Sequence, residues 1–156
     1  MLDEGYTRLL ASLIASLRCQ IVLPPGQERY FEESGPIATY QNEMRSAVRT
    51  RVRARGILVP ETQLPVIPRT IEPSVIFTKD FSKTGFGFVA DRQYFPGEVV
   101  RVLLATFWMR VKIRRCGRTG PNCYENGGTL ISNSEPSMDA FETISDQVSS
   151  LLCFDV

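Results

Sequence analysis

Phe107-Trp-Met-Arg-Val-Lys-Ile-Arg-Arg115 is the stretch that decides the fold. Phe107, Met109, Val111 and Ile113 fall on one side of a two-residue period, and Trp108, Arg110, Lys112 and Arg114 on the other. That period belongs to a strand with one buried face. The same reading extends outward. Pro96-Gly97 is a turn and Glu98–Leu104 is strand-like. Gly117-Arg-Thr-Gly-Pro-Asn122 is turn-rich, and Cys123–Ile131 reads as a closing strand. Upstream, Phe86–Val89 is a short apolar strand, and Thr70–Thr78 another, in which Pro73 marks an edge or a bulge. Arg49, Arg51, Arg53 and Arg55 alternate with Thr50, Val52 and Ala54, a strand with a basic face that Gly56–Val59 extends. A proline-bearing link follows (Pro60, Pro65, Pro68), and Tyr30–Glu33 is a short strand or a turn. Five or six short strands with turns between them predict a small antiparallel barrel.

Two amphipathic helices bracket the strands. Tyr6, Leu9, Leu10, Leu13, Ile14 and Leu17 place a helix over 6–18; Phe141, Ile144, Val148, Leu151 and Leu152 place a second over about 136–152. The expected organisation is an N-terminal helical extension and linker over 1–43, a barrel domain over 44–132 and a C-terminal helix over 133–156.

Bulk properties bound the function. A chain of 156 residues, 43% hydrophobic and 22% charged, has material for one core. The net charge of +1 argues against a general polyanion binder, and so against nucleic acid as partner. Charge is local instead: residues 45–55 hold five arginines and no acid. Leu9–Leu23, the most apolar stretch, is too short and too polar for a membrane span. The Met-Leu-Asp-Glu start lacks a basic leader region, so the expected location is cytoplasmic and the four cysteines reduced. Without a single histidine, His-based triads, His-ligated zinc and most general-base schemes are excluded. The expectation is no enzyme, no metal and no cofactor. Cys116 and Cys123, with six residues between them across a turn, have no C-x-x-C partner motif.

Two motifs carry chemistry. Arg45-Ser-Ala-Val-Arg49 is an R-x-x-x-R, and Asp80-Phe-Ser82-Lys-Thr-Gly85 a D-x-S-x-x-G. Guanidinium groups pair bidentately with phosphate and stack on purines. A carboxylate accepts from guanine N1–H and N2–H, which an arginine cannot do. Together they describe a site for a doubly charged guanine nucleotide.

In this ordered pair, with the strand Phe86-Gly-Phe-Val89 straight after the second motif, the chain resembles the PilZ domain family from about Met44 to Ile131. The resemblance implies a six-stranded antiparallel PilZ-type barrel that binds cyclic di-GMP, a bacterial second messenger, and relays a conformational change to a downstream protein partner. It implies ligand contacts from Arg45 and Arg49, on the lead-in to the first strand, and from Asp80, Ser82 and Gly85 at the end of a strand. The overlapping arginines also allow Arg49 and Arg53 as the pair; the first register is preferred, because Thr50 and Val52 then begin the strand directly. Met44 stands where the family often has a further arginine, and the gap from Arg49 to Asp80 is long. Those departures fit an alternative, an interaction adaptor on the same barrel that binds no nucleotide. A nucleic-acid-binding basic strand is a second alternative. Each residue also has a plainer role: a solvated basic face for the arginines, an Asx-turn for Asp80, a turn cap for Ser82, and positive φ or close approach at Gly85. Trp108 either stacks on a base or, as the more economical reading, packs beneath a terminal helix. The helices leave packing on the barrel or homodimerisation open.

Overall fold

The computed structural model describes residues 4–27, 29–32, 35–36, 50–62 and 71–144. The first element, α1 (Glu4–Ser16), opens with an acid in its first turn, where the helix dipole favours negative charge. It buries Tyr6, Leu9, Leu10 and Leu13, the face that the helical period selects. Tyr30–Glu32 forms a single 3₁₀ turn.

Eight strands follow: β1 (Gly35–Pro36), β2 (Thr50–Arg51), β3 (Arg55–Thr62), β4 (Ser74–Phe81), β5 (Gly85–Ala90), β6 (Val99–Leu103), β7 (Trp108–Gly120) and β8 (Cys123–Ser134). Six of them close on themselves. Going round, β3 pairs with β6, β6 with β7, β7 with β8, β8 with β5, β5 with β4 and β4 with β3, every pair antiparallel. The two-residue strands β1 and β2 lie outside this barrel, on the end of β4.

Both faces of the barrel wall bury apolar groups over part of its circumference. Leu58, Ile76, Phe86, Phe88, Val100, Val102, Met109, Val111 and Ile113 fill the interior. Their sequence neighbours Ile57, Val59, Val75, Phe77, Leu103 and Trp108 point outward and pack under α1, Tyr30, Phe141 and Ile144. Runs such as Ile57-Leu58-Val59 and Val75-Ile76-Phe77 are continuous because both sides of the strand are covered. The Tyr6 hydroxyl ties the helix to the wall by donating to the carbonyls of Leu104 and Phe107.

Several elements depart from the sequence reading. The basic strand predicted over Arg49–Arg55 is broken. Arg51 faces Asp80 but Arg55 faces Phe77, so one extra residue sits between them, a β-bulge over Val52–Ala54. The Thr78 hydroxyl holds the bulge, accepting from Ala54 N at 2.8 Å and donating to the Val52 carbonyl. Pro60 is no linker residue; it is buried within β3, beside a register shift in the β3–β6 ladder. Pro65 and Pro68 lie outside the described residues. Pro73 precedes β4 rather than interrupting it. The turn-rich 117–122 segment is mostly strand: β7 runs to Gly120, and the reversal is confined to Pro121-Asn122, with Asn122 at φ 52°.

The predicted C-terminal helix is also revised. Its first residues form a 3₁₀ turn, Met138–Phe141, which ends at Thr143 with φ 71°. Phe141 and Ile144 are buried as predicted, since a three-residue spacing suits a 3₁₀ turn as well as an α-helix. The rest of the predicted helix, from residue 145, lies outside the described residues. Arg101, 2% exposed, pins this segment: its Nη1 donates to the carbonyls of Ala140 and Glu142, both at 2.8 Å, and its Nη2 to Glu61 Oε1 at 3.0 Å. Arg110 pairs with the same carboxylate at 3.0 Å.

Candidate ligand site

The D-x-S-x-x-G residues form the hairpin between β4 and β5. Ser82 N donates to the Gly85 carbonyl, and Gly85 N to the Ser82 hydroxyl, each at 3.0 Å, so the turn is closed at both ends. Gly85 does not adopt positive φ. Its lack of a side chain serves close approach, because a Cβ there would lie 3.3 Å from both Ser82 Oγ and the Gly128 carbonyl.

Asp80 is only 6% exposed although it carries a carboxylate. In β4, Phe77 faces outward, so a strict two-residue period would turn Asp80 into the barrel. A one-residue register shift in the β4–β5 ladder, between Thr78 and Asp80, reverses this and sets Asp80 beside Gly87 on the outer face. There its carboxylate lies over bare backbone: a Cβ on Gly87 would meet Asp80 Oδ1 at 2.7 Å.

The row continues across the sheet. Gly87 pairs with Gly127 of β8, and Gly127 with Arg115 of β7. A second register shift, between Ile113 and Arg115, turns Arg115 outward where the alternation of Met109, Val111 and Ile113 would have turned it in. Arg115 leans over Gly127 as Asp80 leans over Gly87; a Cβ on Gly127 would meet its Nε at 2.8 Å. Four strands thus present Asp80, Gly87, Gly127 and Arg115 in line: a carboxylate, two bare peptide units and a guanidinium. Three strand spacings place the outer Cα atoms roughly 14 Å apart.

A cavity of about 320 Å³ opens beside Asp80, Gly87 and Arg115, lined also by Lys79, Cys116, Gly117, Glu125 and Asn126. Lys79 Nζ and Glu125 Oε1, 3.4 Å apart, neutralise each other. Asp80 and Arg115 stand at the two ends of the row. The arrangement offers an acceptor for N–H donors at one end and a donor fork for oxyanions at the other.

Arg45 and Arg49 lie outside the described residues. Arg53 stands over the Tyr30 ring, 4.1 Å from its centroid, and donates from Nε to the Lys79 carbonyl at 3.2 Å. The Tyr30 hydroxyl in turn donates to the Thr78 carbonyl at 2.7 Å. Burial raises the Tyr30 phenol above its ordinary range, against the opposing pull of the Arg53 cation, so it stays a donor. Arg55 stacks on Phe31 at 4.7 Å. Trp108 takes the packing role: it is 7% exposed, sits in the layer under α1, and donates to Ser137 Oγ at 3.3 Å. The sequence reading missed Gly87, Gly127 and Arg115. Glycines inside strands were their available signal, since such positions mark close approach of another group.

No helix among the described residues is long and apolar enough to cross a membrane. Compared with family models, curated proteins and solved structures, the chain matches none.

Proposed function

We propose that this chain is a PilZ-type sensor of cyclic di-GMP: a cytoplasmic, non-enzymatic module that binds the messenger on the outer face of its barrel and relays the event to a protein partner. One observation carries the reading. Both charged ends of a glycine-floored row, Asp80 and Arg115, are turned outward by register shifts in ladders that would otherwise point them into the core. Bulges that re-aim side chains belong next to functional sites. In this reading Asp80 accepts from the N1–H and N2–H edge of a guanine in the cavity beside it, with the Ser82–Gly85 turn at the near end of the site. The ordered R-x-x-x-R and D-x-S-x-x-G motifs add support, and so does chain connectivity: Thr50, covalently next to Arg49, pairs with Phe81, the neighbour of Asp80.

Affinity follows from contact arithmetic. A dissociation constant of about 1 μM requires about 8 kcal/mol. A good bidentate contact supplies about 1–3 kcal/mol. Arg45 and Arg49 therefore do not suffice alone; the Asp80 edge contact and stacking on the floor make up the difference. In this reading the signal to the partner is the pairing of Arg45 and Arg49 with the ligand's phosphates. Titration calorimetry with cyclic di-GMP tests the reading. Saturable heat in the low micromolar range is expected, and no heat at several hundred micromolar overturns it.

A second reading has its own observation. A separate, mainly apolar cavity of about 290 Å³ is lined by Val52, Ala54, Phe81, Leu104 and Phe107, with Arg55, Thr78 and Thr106 also on its wall, between the β2–β3 bulge and the β6–β7 loop. It favours an adaptor that grips a protein side chain, and it becomes the leading reading if the titration is silent. The nucleic-acid reading is weakened by the stacking of Arg53 and Arg55 on aromatic rings of the protein's own outer layer.

A further inference from the structure

Arg115 holds a charge that the fold does not consume. Its guanidinium makes no hydrogen bond or ion pair among the described residues, whereas its neighbour Arg114 donates from Nε to Thr129 Oγ1 at 3.0 Å. Arg101, Arg110 and Arg118 likewise all have protein acceptors. Keeping Arg115 outside costs the β7–β8 ladder a bulge, which a structural surface arginine would not need. Arg115 also lines two cavities at once. On one side is the space shared with Asp80 and Gly87. On the other is a cavity of about 180 Å³ formed with Phe86, Arg114, Gly128 and Thr129.

We propose that Arg115 is a ligand-binding residue that takes a phosphate of the bound nucleotide, at the opposite end of the glycine floor from the guanine edge held by Asp80. This assignment rests on the cyclic di-GMP reading and adds to it a cation on the rigid barrel wall, separate from the R-x-x-x-R segment. The Arg115 side chain already lies over Gly127, with its Nε 2.8 Å and its Cζ 3.4 Å from where a Cβ would stand. A planar donor fork is thus preorganised along the floor, and less side-chain freedom is lost when a phosphodiester pairs with it. Arg114, anchored to Thr129, keeps a second cation beside that phosphate without competing for the floor.

The test is calorimetry with cyclic di-GMP on the full chain and three variants, each checked by thermal melt. Arg115→Ala is expected to weaken binding tenfold or more at unchanged melting temperature. Arg115→Lys, which keeps the charge and loses the fork, falls between wild type and Arg115→Ala. Lys112→Ala, removing an exposed cation on the same strand that lines neither cavity, leaves affinity within twofold. Wild-type binding with Arg115→Ala also within twofold overturns this assignment and leaves the function standing. So does equal weakening by Lys112→Ala, because a general field would then explain the loss. A wild-type chain that binds no cyclic di-GMP overturns both. If Arg115→Ala melts lower, Arg115→Lys decides by the same criterion: wild-type affinity in that variant rules out the bidentate fork.

Discussion

The outer surface of the barrel has two halves that solve opposite problems. Over β3, β6 and the adjoining parts of β4 and β7, outward residues are large and apolar: Ile57, Val59, Val75, Phe77, Leu103 and Trp108. They recruit α1, Tyr30 and the 140–144 segment as a cover. Over the β5–β8 seam, the outward positions pass from Val89, still inside that covered layer, to Gly87 and Gly127, which carry no side chain. One wall, with one hydrogen-bonding scheme, becomes a packing surface or a recognition surface according to what stands on alternate residues. The covered half stabilises; the bare half leaves peptide planes within reach of a ligand.

The division can be broken or sharpened by substitution. Phe88 is fully buried inside the barrel beneath both halves, so Phe88→Ala is expected to cost about 4 kcal/mol and to abolish folding and binding together, read by urea denaturation and calorimetry. Leu13→Ala removes a core side chain of the covered half only and is expected to cost about 3 kcal/mol in the same denaturation series. Ligand affinity measured well below its melting temperature should not change; a parallel fall in affinity would show that the halves act as one. Arg101→Met leaves the carbonyls of Ala140 and Glu142 without their charged donor and is expected to cost about 2 kcal/mol. Glu61 keeps Arg110, which limits the loss, and the 140–144 amides should gain hydrogen exchange before the barrel does. Gly87→Ala has the smallest effect on stability. The new methyl displaces the Asp80 carboxylate and raises the floor, so affinity for cyclic di-GMP falls about tenfold, about 1.4 kcal/mol. Undiminished binding would place the ligand elsewhere.

What the sequence discloses follows the same division. Helix α1 and the barrel interior are legible because Tyr6, Leu9, Leu10 and Leu13, and then Met109, Val111 and Ile113, keep one period from end to end. The D-x-S-x-x-G hairpin is legible because its turn is short and local. The site row is not. A fixed period of two assigns Asp80 and Arg115 to the interior, and only the bulges after Thr78 and Ile113, set by the partner strands, reverse them. The break at Val52–Ala54 is hidden for the same reason: it depends on a hydroxyl at Thr78, 24 residues from Ala54. Gly117–Gly120 carries turn residues yet extends β7, because β8 supplies partners for Gly117, Arg118 and Gly120, with a register shift at Thr119. In each case a non-local pairing outweighs local propensity.

The pairing of Gly87 with Gly127 has a kinetic corollary. Strands β5 and β8 are distant in the chain, as are β3 and β6, and joining them turns two three-stranded meanders, β3–β4–β5 and β6–β7–β8, into a cylinder. Such long-range unions are slow and come late in assembly. The proposed recognition surface straddles the β5–β8 join, so it exists only once the cylinder has shut. A nucleotide resting there clamps the last seam to form, and should lengthen the lifetime of the native state by retarding its opening rather than by hastening its assembly.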